Sequence, residues 1–354
     1  MTSNWDRPAL GNYRGETFTF GEVATQIAKL HVLYEAIGLK KGDKVALCAK
    51  NSARWGIAFF SANTYEAVVV PILADFHPDS VNSLVDHSES TVLFTDTDIW
   101  NKLDIEKMPQ IKAVVSTADF KLLYAADDKI QKANDELDAF FAEKYPNGFS
   151  ASDVNYPIDN DKELAIINYT SGTTSAPKGV MLRYECVSEN VAFGQKRLPA
   201  YPGDTIVSML PMAHMYGMMF ELIYPICGGA SVYYLGKTPT PALLLGAMAQ
   251  VKPYLVITVP LVMEKIFKSK VAPVINKPIM KVICKIPGLN KIIFKKKSDV
   301  PLWEIKDHVK CYDCGKKKRG YRIVSWGNYD RTEDKHPQYR CKKCSLKKMA
   351  KIKK

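Results

Sequence analysis

Nowhere does the 354-residue chain hold an uninterrupted apolar run of the ~20 residues that a membrane-spanning helix needs. Its two most apolar windows, Gly56–Leu73 and Ile206–Leu235, are broken by Asn63, Glu66, His214 and Glu221 and by several Pro and Gly residues, so both read as globular core. Met1–Arg14 is polar and lacks an apolar h-region, which predicts no secretory leader and a reducing, cytoplasmic setting. The first 300 residues also lack a charge excess. The formal net charge is +12, but residues 301–354 alone hold 17 Lys and Arg against 6 Asp and Glu. The basic character therefore belongs to a short tail and not to the main body. Cysteine is sparse in that body: Cys48, Cys186, Cys227 and Cys284 stand singly in apolar surroundings, as buried reduced thiols do. No internal repeat and no low-complexity tract precedes the Lys-rich end.

What is present is ordinary for a globular protein, with 47% hydrophobic and 24% charged residues and length enough for two or more domains. Thr19-Phe20-Gly21-Glu22 is a capping-box signature, and Val23, Ile27, Leu30, Tyr34 and Ile37 follow at helical spacing before Gly38 supplies a stop. Gly42-Asp43 turns the chain into a short apolar strand at Lys44–Cys48, and a second helix is predicted after Asn51. Ala67–Pro71, Thr91–Thr95, Ala113–Ser116 and Leu164–Tyr169 read as further strands. Residues 120–162 read as a polar, helical connection, and a second β/α stretch covers roughly 184–270. This alternation predicts an α/β fold of parallel sheets flanked by helices.

The strand at Leu164–Tyr169 runs into Thr170–Gly179, which reads TSGTTSAPKG. Small residues let backbone amides approach phosphate oxygens, the hydroxyls of Thr170, Ser171, Thr173 and Thr174 can donate to the same oxygens, and Lys178 adds positive charge. The spacing is not that of a Walker A loop. A Ser/Thr-rich surface turn is the bland alternative, and ten matching positions after a buried strand weigh against it.

Asn168–Val180 resembles the signature loop of the adenylate-forming superfamily, which includes acyl-CoA synthetases, luciferases and peptide-synthetase adenylation domains. The resemblance implies that Thr170, Ser171, Gly172, Thr173, Thr174 and Lys178 contact the ATP β- and γ-phosphates. Ser175 stands where glycine is commoner. Leu210–Gly217, reading LPMAHMYG, is similar to the family's second core motif. That implies a catalytic-pocket role for His214 beside the acyl and adenylate groups, with Tyr216 and Gly217 lining the substrate pocket. An isolated histidine would more simply be a satisfied core residue. Lys252–Phe267 resembles the segment whose strand ends at a proline beneath that pocket, and Thr17–Phe20, Gly42–Ala46 and Ala67–Pro71 follow the family's N-terminal pattern. The basic run Lys277–Lys297 looks like the bacterial long-chain branch, and Met215, Met218, Met219 and Phe220 suit a pliable acyl channel, although such clusters are more often core.

The resemblance implies ATP, Mg2+ and CoA as cofactors, a fatty acid as substrate, and an ATP-dependent fatty acid–CoA ligase activity compatible with peripheral membrane association. It covers residues from about 10 to about 298, so the expected domains are 1–298, a partial adenylation domain, and 299–354. The family's later motifs are not found in this sequence: the adenine-binding glycine-rich segment, the magnesium-binding glutamate, the ribose-binding aspartate and the mobile lysine. The expectation is a truncated and catalytically impaired domain, whether through a rearranged reading frame or because a partner chain supplies the rest.

In the tail, Cys311, Cys314, Cys341 and Cys344 form two CxxC pairs flanking residues 315–340. Two such pairs can complete a tetrahedral Zn2+ site, and Gly320–Ser325 could form a strand of a zinc-ribbon-like module. Coincidental cysteines and a redox pair are the alternatives. Lys316–Arg319 and the terminal lysines, with Trp326 and Tyr329 nearby, could contact a nucleic-acid backbone or simply be solvated. The competing functional reading is thus a non-catalytic nucleotide- or nucleic-acid-binding protein acting through this basic tail.

Overall fold

The computed structural model describes residues 1–158, 160–170, 177–237 and 239–259, with short stretches at 264, 267–268, 272–275, 302–310, 317–323 and 340–341. By contacts the chain divides into two compact units, Met1–Ile266 and Phe267–Lys354.

Unit 1 is built on two sheets. The larger has strands β3 (Lys44–Cys48), β4 (Val68–Pro71), β5 (Ser90–Thr95), β6 (Ala113–Ser116), β7 (Leu122–Ala125), β8 (Leu164–Thr170) and β9 (Lys178–Arg183), in the order β7-β6-β5-β3-β4-β8-β9. Neighbours from β6 through β8 pair parallel, as the buried, β-branched runs predict. Both edges depart from that expectation. β7 and β9 pair antiparallel with β6 and β8. Each returns directly from its neighbour through a short connection, which allows a hairpin but not a crossover. The sheets are therefore mixed, and Leu122–Ala125, read as part of a helical connection, is an edge strand. The helical reading holds for α5 (Asp128–Asp135) and α6 (Leu137–Lys144) just beyond it.

The smaller sheet has the order β10-β11-β1-β2, with β10 (Thr205–Ser208), β11 (Ser231–Tyr234), β1 (Pro8–Asn12) and β2 (Thr17–Thr19). β1 lies parallel to β11, so the N-terminal segment is stitched into the second half of the unit. Of the stretch Lys252–Phe267, Leu255 makes a single parallel bridge to Ile206, and Pro260 lies outside the described residues.

The helices form where the sequence marks them. Helix α1 (Phe20–Ile37) starts at a complete capping box: the Thr19 amide donates to Glu22 Oε2 at 2.7 Å and the Glu22 amide donates to Thr19 Oγ1 at 3.1 Å. It stops at Gly38, whose φ of +72° is the left-handed region that glycine enters without a Cβ penalty. Helix α2 (Ala53–Thr64) is capped by Ser52, whose Oγ accepts from the Trp55 amide. Helices α1 and α2 pack their apolar faces into the main core, where Trp55, Tyr34, Phe59 and Phe94 are fully buried and Trp55 stacks on Phe59 at 5.9 Å. Side chains of this size contribute about 1.5–3 kcal/mol each on burial. Helix α3 (Pro78–His87) and α4 (Thr97–Trp100) flank β5, and α7 (Tyr184–Arg197) follows β9. Of the lone cysteines, Cys48 is buried as expected, Cys186 is half-buried and Cys227 is exposed, because it ends a helix at the surface. Cys284 lies outside the described residues.

In unit 2 the chain forms a helical turn, Ala272–Ile275, and a three-stranded antiparallel sheet of β12 (Leu302–Lys310), β13 (Lys317–Ile323) and β14 (Arg340–Cys341). Of the strand expected at Gly320–Ser325, residues 320–323 form the end of β13, and Val324 and Ser325 lie outside the described residues. Cys341 pairs opposite Gly320. Cys311, Cys314 and Cys344 lie outside the described residues, as do the stretches Lys277–Lys297 and Val324–Gln338. Among the described residues no helix is long and apolar enough to cross a membrane.

Candidate functional site

The site is organised around two loops, one leaving the carboxyl end of β8 in the larger sheet and the other the carboxyl end of β10 in the smaller. The first follows β8. Thr170 ends that strand and Lys178 begins β9 directly opposite it, so the hairpin register brings the two ends of the Ser/Thr-rich loop together. Thr170 Oγ1 approaches the Lys178 carbonyl oxygen at 3.5 Å, and both side chains are exposed. Ser171, Gly172, Thr173 and Thr174 lie outside the described residues. Gly179 is required by packing: an added Cβ would stand 2.9 Å from Ile167 Cγ2 and 3.3 Å from the Tyr169 ring. Tyr169 is buried beneath, its hydroxyl paired with His87 Nδ1 at 2.7 Å at the end of α3.

The second loop runs from the end of β10 to His214. His214 is the exposed residue that opens α8 (Met215–Met218), with its amide donating to Pro211 O at 3.1 Å. Gly217 tucks under this loop so closely that a Cβ would meet Pro211 O at 2.6 Å. Tyr216 projects outward, 49% exposed, with its ring 5.4 Å from Phe220. Of the methionines expected to line a channel, Met218 and Met219 are buried in the main core and Met215 packs against it. They act here as packing residues.

Three side chains that sequence reasoning did not assign hold this second loop. Asn51, in the turn after β3, grips it on both sides of Pro211: Nδ2 donates to Leu210 O at 2.6 Å and Oδ1 accepts from the Met212 amide at 3.0 Å. Asn168, two residues before Thr170, donates from Nδ2 to Ala213 O at 2.8 Å. Glu221 lies in a π-helical turn, Met219–Ile223, between α8 and α9 (Tyr224–Cys227). Its Oε2 accepts from Ser208 Oγ at 3.0 Å and from the Met209 and Leu210 amides at 2.9 and 2.8 Å. Its Oε1 has no hydrogen-bond partner among the described residues. The side chain is fully buried, and burial pushes the carboxyl up to about 8 against the opposing pull of those three donors. A carboxylate inside the apolar window 206–235 was the one available signal for it, since a buried acid must find donors.

Beside Asn51 a cleft of about 540 Å³ opens outside the carboxyl ends of β3 and β5. It lies where the strand order reverses, a favoured place for ligands in open α/β sheets. Its charged groups answer one another: Lys50 pairs with Asp98 at 2.8 Å and Arg54 with Glu16. Among the described residues no group of three or more His, Cys, Asp or Glu is arranged to hold a metal ion.

Comparison with known proteins matches residues 2–286 to the model of the AMP-binding enzyme family. The peroxisomal long chain acyl-CoA synthetase 6 of Arabidopsis thaliana is 26% identical over 73% of this chain and 36% of its own length. The long-chain-fatty-acid–CoA ligase heimdall of Drosophila melanogaster is 25% identical over 76% of this chain and 40% of its own. The chain thus spans two fifths or less of the length of these curated relatives. Among solved structures, ATP-bound MatB from Rhodopseudomonas palustris superposes with a TM-score of 0.61 at 19% identity, over 76% of this chain and 49% of that one. The inhibitor-bound N-terminal domain of FACL13 from Mycobacterium tuberculosis gives 0.61 at 17% identity, over 79% and 64%. These likenesses establish the fold, and the family match over most of unit 1 and beyond establishes descent: the chain belongs to the AMP-binding, adenylate-forming enzyme family.

Proposed function

We propose that residues 1–298 take part in ATP-dependent activation of a fatty acid, forming an acyl-adenylate that a CoA thiol then consumes. In this reading a carboxylate oxygen of the fatty acid attacks the α-phosphorus of ATP, the bond to the bridging oxygen breaks, and pyrophosphate leaves. Thr170, Ser171, Thr173 and Thr174 hold its oxygens by their hydroxyls, Gly172 admits the backbone, and Lys178 offsets the charge. Mg2+, carried by the nucleotide, would neutralise the same phosphates. His214 lies beside the adenylate, with Tyr216 at the mouth of the acyl site over Gly217.

The observation that carries this reading is the meeting of the two loops: Asn168, at the base of the phosphate loop, bonds to the carbonyl adjoining His214. That bond ties the base of the Ser/Thr-rich loop to the loop before His214, which supports a single site made from both. Long-chain relatives support a fatty-acyl substrate.

ATP–pyrophosphate exchange by the purified chain, with magnesium and fatty acids of increasing length, tests the proposal. Acid-dependent exchange with a chain-length optimum supports it and names the substrate. Nucleotide binding without exchange would reduce the role to binding, and the absence of both binding and exchange would overturn it.

For unit 2 we propose that Cys311, Cys314, Cys341 and Cys344 hold one Zn2+. In support, Cys341 lies on a strand of the sheet whose β12–β13 hairpin carries the first pair in its connection. Metal analysis should find one zinc per chain, lost in Cys341→Ser; a metal-free chain would end the assignment.

A further inference from the structure

The run Met209–His214 belongs to neither sheet nor helix, and its backbone groups are satisfied largely by side chains. Glu221 takes the amides of Met209 and Leu210, Asn51 takes the carbonyl of Leu210 and the amide of Met212, and Asn168 takes the carbonyl of Ala213. Leu210 is therefore gripped on both its polar groups by residues from different elements. A loop fixed by a sheet ladder would tolerate loss of one contact. This one has side-chain amides and a carboxyl where the ladder would be.

We propose that Asn51 is a positioning residue for His214, acting through the paired hydrogen bonds that clamp the loop on either side of Pro211. Three observations support the assignment. The two bonds run in opposite senses, donor to Leu210 O and acceptor from Met212 N, so a planar amide fits and a carboxylate does not. The clamped segment leaves no slack before His214, because the His214 amide returns to Pro211 O and Gly217 presses against that same oxygen. Asn51 itself sits in the turn between β3 and the Ser52 cap of α2, with neighbouring Lys50 bonded through its amide to Asp96 Oδ2 at 2.9 Å. The clamp is thus anchored to the first half of unit 1, while His214 belongs to the second.

Its catalytic consequence rests on the reading of His214 as a pocket residue, whereas its geometric consequence does not. The experiment separates them. Histidines labelled at Cε1 give six ring signals in the full chain, with that of His214 assigned by His214→Gln. In Asn51→Ala, the His214 signal should shift or broaden. His31, which bonds Ser61 O in the α1–α2 core, and His87 should stay in place. In parallel, kcat for adenylation should fall roughly 10- to 100-fold with KM for ATP within about twofold, as expected for a misplaced group. If Asn51→Ala does not fold, Asn51→Asp keeps the acceptor for the Met212 amide and isolates the lost donor. A moved His214 signal without adenylation by the parent chain would sustain the clamp and count against catalysis by this chain alone. An unmoved His214 signal in a folded variant, whatever its melting temperature, would overturn the clamp.

Discussion

Replacing Glu221 with glutamine removes a titrating carboxyl but keeps an oxygen for the Ser208 hydroxyl and the Met209 and Leu210 amides. Burial lifts the native carboxyl from its ordinary 4.5 to about 8. The native state therefore retains a proton that the unfolded chain releases, so stability falls as pH rises from 4.5 through 8. The facing groups are Ser208, the two amides and Tyr234, whose phenol is itself held well above its usual range by burial and by the Glu221 charge. A tenfold difference in proton affinity between the folded and unfolded chain corresponds to about 1.4 kcal/mol, so release of this proton by the unfolded chain alone withdraws on the order of 3 kcal/mol of stability between pH 5 and 8. Glutamine does not titrate. Any cost of its amide nitrogen beside the unpaired Oε1 position is constant with pH and cancels. Urea unfolding of both proteins at pH 5, 6, 7 and 8, followed by tryptophan fluorescence, should show the variant gaining on the parent as pH rises. A difference that stays flat across that range would refute a neutral, buried Glu221.

Lys178→Ala should weaken ATP binding tenfold or more by calorimetry, since a charge-assisted hydrogen bond contributes roughly 1.5–3 kcal/mol, while leaving the melting temperature unchanged because the side chain is exposed. Gly179→Ala drives a Cβ into Ile167 and should cost about 1–3 kcal/mol in urea unfolding. Thr19→Ala breaks the capping box of α1 and should cost about 1 kcal/mol by the same assay.

Much of unit 1 was legible because its signals are local. The ends of α1 are written in Thr19, Glu22 and Gly38, all satisfied within a turn of the chain. The parallel strands announce themselves as short β-branched runs, and the Ser/Thr-rich stretch Thr170–Gly179 stands out by residue types alone. The edge strand Leu122–Ala125 was missed because its half-buried face shows no strong periodicity and its identity comes from pairing with β6.

By itself, then, the sequence determined the helix caps, most of the order of strand and helix and the likeness to acyl-adenylating enzymes. Only the tertiary structure decided that β1 joins β11, that the sheet edges turn antiparallel, and that Asn51, Asn168 and Glu221 converge on the loop before His214. Local hydrogen bonds and steric limits act between near neighbours and leave a mark in residue order. A side-chain clamp between Asn51 and Leu210 leaves none, because the partners meet only after two sheets and the core between them have formed.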